Sequence, residues 1–425
     1  MQNFINRLPG IGNERIVRCP RCLNEIPIER NRVHNVCTKM MPNEHGELKI
    51  RCDYEIPLLY VERYGEAKSV PVQVFGWTSH GKTVYLNALR LMLMNMLRVW
   101  PDYNYVAITD RDIKLTQDLR TLLENGIMPK PTDLLGLRDN YIYIMQLLNM
   151  VRWESRFLTI MDHAGERFDS MEDFEAHEIP FLTHRDTTTM MFVSVPLLRG
   201  ELVGKAAVDF RTAQRQANRQ GLELPDKPEV RDLGRSMNDL LTIYIETMIK
   251  YDKQEQQRNK QGFLGRVGNI IKDSIIQSRR KMVVVLTMGD IFASDLPPNL
   301  RNYLSADDMW DRVFASGSDK NRDSLDMEYM EKYMDRLQKV SDSLRDWLHD
   351  DVDRIGSMGI GGKEFVRAIE SNNIEARYTI VSSLGHNEVS MPSKIAKGFG
   401  TKIAPKRVLD PFFWVLEYQK YKPKV

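Results

Sequence analysis

The fold is decided by residues 76–83, Gly76-Trp77-Thr78-Ser79-His80-Gly81-Lys82-Thr83, which we call the phosphate loop. The loop fits the pattern G-x-x-x-x-G-K-[ST], in which the glycines let backbone N–H groups close round a β-phosphate. The lysine of the pattern reaches the β/γ oxygens, and the hydroxyl that follows it binds Mg²⁺. Residues 70–75 predict a short buried strand entering the loop, and residues 85–100 predict a Leu- and Met-rich helix leaving it. A bound phosphate would therefore lie at a helix N-terminus.

The loop predicts a set of nucleotide contacts, of which Lys82 is also expected to act in catalysis and Thr83 to hold Mg²⁺. We expect His80 to pack rather than to act on phosphate. The alternative is a glycine turn that contains a lysine by chance. The predicted contacts in this region are Gly76, Ser79, His80, Gly81, Lys82, Thr83 and Val84.

Size and charge exclude several other classes of protein. The chain has 425 residues, enough for one large domain or two ordinary ones. Its net charge of +2 gives no bulk attraction to nucleic acid or to anionic membranes. No apolar run approaches the ~20 residues of a membrane helix, and residues 1–18 lack an apolar signal core. We therefore expect a cytoplasmic protein without a membrane span, and nucleic acid is disfavoured as a partner.

The four cysteines of the chain, Cys19, Cys22, Cys37 and Cys52, all lie near its beginning. A cytosolic protein seldom forms disulfides, so this clustering favours a metal site. Cys19 and Cys22 are separated by two residues, and two thiolates at this spacing can bind one tetrahedral zinc ion. His34 and His45 compete with the two later cysteines for a ligand position. We predict that the four cysteines form a structural zinc ribbon, and the alternative is that they are ordinary thiols.

The rest of the chain predicts one α/β unit after a small module. Residues 1–65 are loop-rich and form the predicted zinc-ribbon-like module, and residues 66–425 form the predicted nucleotide domain. Strand-like runs separated by helical patterns predict a doubly wound, mainly parallel sheet. Insertions are predicted at about 199–281 and 305–361. The basic amphipathic part at 263–281 is expected to pack on the sheet rather than to bind a membrane or a partner.

A carboxylate for Mg²⁺ is predicted at the end of another strand. The apolar run 157–161 ends in Asp162, and Gly165 follows three residues later. A D-x-x-G sequence directly after a strand, downstream of a phosphate loop, suits a carboxylate on Mg²⁺ and a glycine N–H on a γ-phosphate. We therefore assign Asp162 to Mg²⁺ and to the nucleotide, and Gly165 to the γ-phosphate.

Base selection is predicted at two later strand ends. Asp290 follows the buried run 283–287, and one carboxylate can accept from both N1–H and N2–H₂ of guanine, a paired donor edge that adenine lacks. Thr287 and Met288 precede it and are predicted to contact the nucleotide. After the run 377–381, small residues could let backbone N–H groups approach the guanine O6 atom. These candidates are Ser382, Ser383 and Leu384.

The order of these motifs resembles that of GTPases of the translation-factor and Ras-like class. The long insertions, the C-x-x-C module and the ending 408–416 are similar to bacterial double-GTPase families of predicted conflict or defence systems. The resemblance implies a P-loop NTPase with a Ras-like G domain, GTP, Mg²⁺ and other proteins of the same bacterial system as partners. It leaves self-association open. It also nominates Thr132, preferred over Thr109, as the threonine that binds Mg²⁺ and senses the γ-phosphate.

Two departures from that class bear on activity. Met288 stands where lysine is usual, so weaker or less selective guanine binding is expected. Glu166 stands where many relatives have a water-orienting glutamine, so hydrolysis is expected to be slow until a partner completes the site. Arg138, Arg167 and a partner's arginine are unranked candidates for a catalytic arginine. The leading hypothesis is a GTPase switch, and the alternatives are a non-hydrolysing GTP-binding scaffold and an ATPase.

Overall fold

The first part of the chain forms three small antiparallel ladders. The computed structural model describes residues 14–29, 34–42, 48–109, 112–113, 142–163, 165, 178–202, 204–228, 235–261, 279–306, 309, 312–313, 325–350, 360–383 and 405–419. The ladders pair the first strand with the second, the third with the sixth, and the fourth with the fifth. These elements are β1 (Glu14–Arg18), β2 (Glu25–Glu29), β3 (Asn35–Val36), β4 (Met40–Pro42), β5 (Leu48–Arg51), β6 (Glu55–Ile56) and helix α1 (Leu58–Arg63).

A seven-stranded sheet follows and organises the rest of the chain. Its strands are β7 (Lys68–Phe75), β8 (Asn104–Ala107), β9 (Ile142–Leu148), β10 (Arg156–Asp162), β11 (Thr188–Ser194), β12 (Arg280–Thr287) and β13 (Ile374–Ile380). Their order in space is β13-β12-β11-β7-β10-β9-β8. Strand β7 is central, and it pairs in parallel with β10 on one side and β11 on the other. The strand order therefore reverses at the end of β7, where open α/β sheets bind ligands.

Helices connect and cover these strands. The helix after β7 begins at Lys82 and continues in a short 3₁₀ turn at Met96–Arg98, so the predicted helix 85–100 is confirmed with a shifted start. The helices are α2 (Lys82–Asn95), α3 (Ile179–Thr183), α4 (Val195–Leu198), α5 (Gly204–Gln220), α6 (Met237–Gln261), α7 (Pro298–Ser305), α8 (Met327–Asp350), α9 (Gly362–Ser371) and α10 (Leu409–Tyr418). None of the helices in the described ranges is long and apolar enough to cross a membrane.

The sheet is mixed: it is mainly parallel, as predicted, and has two antiparallel strands at one edge. Strand β9 runs antiparallel to β10, and β8 runs antiparallel to β9. The connection 149–155 between β9 and β10 is too short for a parallel pair, which needs a crossover of about a dozen residues or more. Strand β8 escaped sequence analysis because it has only four residues. The other five strands, β13, β12, β11, β7 and β10, are parallel to one another, as predicted.

The two faces of β10 belong to two different hydrophobic clusters. Leu158 and Ile160 join the main cluster, together with the apolar sides of α2, α6 and α8. Phe157 and Met161 join a second cluster that contains the four cysteines and Tyr60. This alternation is the period of a strand buried on both sides. The N-terminal module therefore packs against one face of β9 and β10.

The predicted insertions contain the long helices α5, α6 and α8. The apolar stripe of α8 is buried, from Met330 through Leu337 to Trp347. The basic amphipathic stretch predicted at 263–281 lies outside the described residues up to residue 278.

Candidate functional site

The phosphate loop joins the carboxyl end of β7 to the first turn of α2. Gly81 has a φ of +83° and is the residue before the helix, a backbone conformation that side chains with a Cβ rarely adopt. Ser79 has a φ of +68°, which is uncommon for a residue other than glycine. Such strain concentrates at ligand sites, where the surrounding structure holds it in place. The strand, loop and helix thus occur in the order that the sequence predicts.

Lys82 turns back over the loop from the start of α2. Its Nζ atom donates to the carbonyl oxygen of Gly76 at 2.5 Å and to that of Trp77 at 2.9 Å. The residue is only 8% exposed. An ammonium group that bridges loop carbonyls in this way stands at the place where the loop would receive phosphate oxygens.

Two neighbouring strands hold the loop from the side. The Nδ1 atom of His80 accepts a hydrogen bond from the N–H of Ser194 at 3.1 Å. The hydroxyl of Thr287 donates to the carbonyl oxygen of His80 at 3.0 Å. His80 is fully buried and lies edge-on to Trp77. Its contacts are those of a packed residue, as expected, and the predicted base-side Thr287 is attached directly to the phosphate loop.

Asp162 and Gly165 lie on the other side of the loop. Asp162 ends β10 opposite Val74 of β7 and is 1% exposed. A Cβ atom on Gly165 would lie 2.3 Å from the N atom of Thr78 and 2.6 Å from the carbonyl carbon of Trp77. Glycine is therefore the residue that fits, and the D-x-x-G segment touches the phosphate loop backbone.

A buried pair of side chains fastens this segment. The Nδ1 atom of His163 is 3.2 Å from a carboxylate oxygen of Glu178, and neither side chain is more than 2% exposed. His163 directly follows Asp162, and Glu178 directly precedes α3. The pair thus ties the residue beside the predicted Mg²⁺ ligand to the next described helix.

The predicted base-recognition residues follow β12. Met288 has a φ of +58°, and the hydroxyl of Ser194 lies 3.3 Å from its sulfur atom. The N–H of Gly289 donates to the carbonyl oxygen of Val381 at 2.9 Å, which links this turn to the end of β13. Asp290 is half-buried just beyond it. The two predicted base-side turns therefore lie side by side.

The end of β13 is paired with the C-terminal segment. The N–H of Ser382 donates to the carbonyl oxygen of Lys406 at 3.1 Å, and the N–H of Lys406 donates back at 2.7 Å. The Ser382 N–H is thus engaged away from any base. Ser383 is half-buried, and Leu384 lies outside the described residues.

The predicted γ-phosphate side is described only in part. Thr132 and Glu166 lie outside the described residues, as do Arg138 and Arg167. The less favoured Thr109 donates its hydroxyl to Asp112 at 2.7 Å. Asp112 in turn pairs with Arg90 of α2 at 3.3 Å, and burial raises the pKa of its carboxyl group. Thr109 therefore serves a structural contact in this structure.

The four cysteines converge in the N-terminal module. All four sulfur atoms lie within 4.8 Å of one another, and all four residues are buried. Cys19 and Cys52 have their sulfur atoms 3.8 Å apart, and those of Cys22 and Cys37 are 3.6 Å apart. Four thiolates around one zinc ion at 2.3 Å would be spaced by about 3.8 Å. The cluster thus has the donors and the size to hold a tetrahedral metal ion.

Of the two histidines that compete for a ligand position, the structure describes one. His34 is largely exposed and pairs with Glu55 at 2.6 Å, outside the cysteine cluster. His45 lies outside the described residues. Burial raises the pKa of the Cys19 thiol, whereas hydrogen bonds from the other thiols, that of Cys19 first, lower the pKa of Cys22.

Sequence reasoning missed Arg235, which the fold brings to the phosphate loop. Its guanidinium carbon lies 5.2 Å from the ring centre of Trp77. Nothing in the local sequence marks this arginine, because the contact depends on the path of the chain between β11 and α6. The positive φ angles of Ser79 and Met288 could not be predicted from the sequence either.

Comparisons with known proteins add little to this geometry. No family model and no curated protein matches the sequence. Two solved structures of the S. cerevisiae Ski7 GTPase-like domain match, one bound to GTP and one to GDP and inorganic phosphate. Each is 10% identical and covers 86% of this chain, with TM-scores of 0.29 and 0.27. The chain spans 53%, about half, of the length of those solved chains. At TM-scores this low, the structural similarity does not support an assignment of function.

Proposed function

We propose that this protein binds GTP together with Mg²⁺, hydrolyses it to GDP and phosphate, and works as a nucleotide-gated switch. The observation that carries the proposal is the contact between Gly165 and the phosphate loop at Trp77 and Thr78. It joins two motifs that lie far apart in the sequence at the switch point of a parallel sheet. Such an arrangement suits a nucleotide whose terminal phosphate touches both motifs.

The phosphates would be held by the phosphate loop. Lys82 would exchange its bonds to the loop carbonyls for β- and γ-phosphate oxygens, where it stabilises charge on the transferring phosphoryl group. Val84 and the backbone of residues 79–83 would lie along the phosphates at the start of α2. Gly165 would donate its N–H to the γ-phosphate, and Glu166 would lie beside the attacking water.

The residues available for Mg²⁺ fit that ion. Thr83 is in the first turn of α2, and Asp162 is buried at the end of the adjacent strand. Both offer oxygen atoms, the donors that Mg²⁺ prefers. We propose that they hold the ion together with Thr132. When bound, Mg²⁺ would neutralise charge that develops on the phosphate oxygens.

Guanine selection is proposed for the turns after β12 and β13. Asp290 would accept from two donors of the guanine edge, and Met288 would cover the base with apolar surface. The bonds of Thr287 to the carbonyl oxygens of His80 and Val193 support this assignment, because they fix the base-side turn against the phosphate loop.

The N-terminal module is proposed to hold one structural zinc ion through its four cysteines. Residues 1–65 would form this module and residues 66–425 the nucleotide domain. The resemblance to bacterial double-GTPase families leads us to place the switch in a cytoplasmic multi-protein system of bacteria, such as a defence system. Co-purification of partner proteins from the native host tests this setting.

Single-turnover hydrolysis by the purified protein tests the central proposal. We expect GTP to be cleaved in the presence of Mg²⁺ and ATP to be bound much more weakly. Lys82→Ala is the matched control, because it removes the phosphate-facing cation. Bound but uncleaved GTP, with and without a co-purified partner, would support the scaffold alternative. Equal binding of ATP would support the ATPase alternative.

A further inference from the structure

Arg235 is held close to the phosphate loop by a fixed turn. It stands two residues before the start of α6, where the N–H of Ser236 donates to Asp239 at 2.6 Å and the N–H of Asp239 donates back to the Ser236 hydroxyl at 3.2 Å. The N–H of Met237 donates to the carbonyl oxygen of Ile360 at 2.8 Å. These bonds cap the helix and fix its first residues. The backbone at Arg235 is therefore well placed, while its side chain is only half-buried.

The side chain of Arg235 contacts the phosphate loop at Trp77, the corner that we expect to face a γ-phosphate. Its guanidinium lies over the indole of Trp77, 5.2 Å from the ring centre. The carbonyl oxygen of Trp77 accepts from Lys82, and its carbonyl carbon is the atom that a Cβ on Gly165 would strike. Trp77 thus connects Arg235 with the two residues that we assign to the terminal phosphate.

The reaction needs positive charge at this corner. During hydrolysis the bond between the γ-phosphorus and the bridging oxygen breaks, and its electron pair stays with GDP. A water oxygen bonds to the phosphorus, one of the two water protons stays on the inorganic phosphate, and the other is released to solvent. An arginine supplied from the same chain can stabilise the charge that spreads over the phosphoryl oxygens. A cation–π contact between a guanidinium and an indole is weak, so the stack can exchange for a charged, two-point bond to phosphate.

We propose that Arg235 is the catalytic arginine of this protein, supplied in cis and resting on Trp77. This inference rests on the proposed GTPase function and names the source of the charge. It makes an arginine from a partner unnecessary and gives the chain before α6 a role in turnover. Trp77 is then the resting platform of Arg235, which explains a bulky aromatic residue inside a phosphate loop.

The test is single-turnover GTP hydrolysis with Arg235→Ala, Arg235→Lys and the control Arg219→Ala, which changes an exposed arginine of α5. We expect Arg235→Ala to lower the hydrolysis rate by about 1000-fold. Arg235→Lys should recover little of that rate, because lysine lacks the planar, two-point donor group of arginine. Affinity for GDP should stay unchanged, while binding of GDP with aluminium fluoride, a mimic of the transition state, should be lost. Arg219→Ala should match the unaltered protein in all three assays.

Two results would overturn the assignment. An unchanged rate in Arg235→Ala would show that the guanidinium takes no part in the reaction. Equal losses of GDP affinity and of rate would show that Arg235 only supports the loop through Trp77. Both results require that the unaltered protein hydrolyses GTP, so they are distinct from failure of the proposed function, in which the unaltered protein shows no turnover.

Discussion

Replacement of Gly165 by alanine tests the contact between the two phosphate motifs. The added Cβ would lie 2.3 Å from the N atom of Thr78, whereas ordinary van der Waals contact begins at 3.4 Å. The two backbones must therefore separate by roughly 1 Å, and a displacement of that size can cost about 100-fold in rate. The phosphate loop is held by Lys82, by Thr287 and by the bond from Ser194 to His80. We therefore expect the D-x-x-G side to move.

The expected result is a single-turnover GTP hydrolysis rate about 100-fold lower, with GDP affinity little changed. The matched control is Gly362→Ala, whose Cβ would lie 2.4 Å from the carbonyl oxygen of Leu348, between α8 and α9. That clash is as severe but lies at a helix junction, so it should lower stability without lowering the ratio of GTP to GDP affinity. An undiminished rate in Gly165→Ala, or an equal loss in both variants, would refute this reasoning.

Three further predictions concern the base, the metal and the core. Asp290→Ala should weaken GTP binding by about 100-fold and leave ATP binding unchanged, because bonds to a charged acceptor contribute about 1.5–3 kcal/mol each; equal losses for both nucleotides, measured by calorimetry, would contradict this. Cys37→Ala should abolish zinc binding and lower the melting temperature by roughly 10 °C, whereas His34→Ala should retain the metal in elemental analysis. Arg90→Met should lower the free energy of unfolding by about 3–5 kcal/mol in urea titrations, because the Asp112 carboxylate stays buried without its cation. Since burial already raises the pKa of Asp112, protonation relieves that cost, so the loss should be smaller at low pH; a loss that grows as pH falls would be contrary to it.

The strand, loop and helix around residues 76–83 could be predicted because their signals are local. A glycine pattern specifies a turn, and apolar runs on either side specify what the turn connects. Asp162 and Asp290 could also be placed, because each directly follows a buried run and parallel strands share one carboxyl edge.

The remaining features depend on the path of the chain through space. The direction of β9 follows from the length of a loop, which hydrophobic periodicity does not report. The stack of Arg235 on Trp77 joins two segments separated by four strands in the chain, and neither segment is distinctive by itself. The same holds for the bond between Ser382 and Lys406, which redirects a backbone N–H that the sequence had suggested for the base.

The second hydrophobic cluster connects the N-terminal module with the strand that ends in Asp162, a link that sequence alone did not suggest. Tyr60 packs edge-on against Phe157 with their ring centres 4.9 Å apart, and Met161 of the same cluster directly precedes Asp162. The module thus supplies the layer that a helix would supply in an ordinary doubly wound sheet. A chain cut before residue 66 would turn that face of β10 toward water. If the proposed zinc and nucleotide sites are both correct, removal of zinc by a chelator should therefore also weaken nucleotide binding.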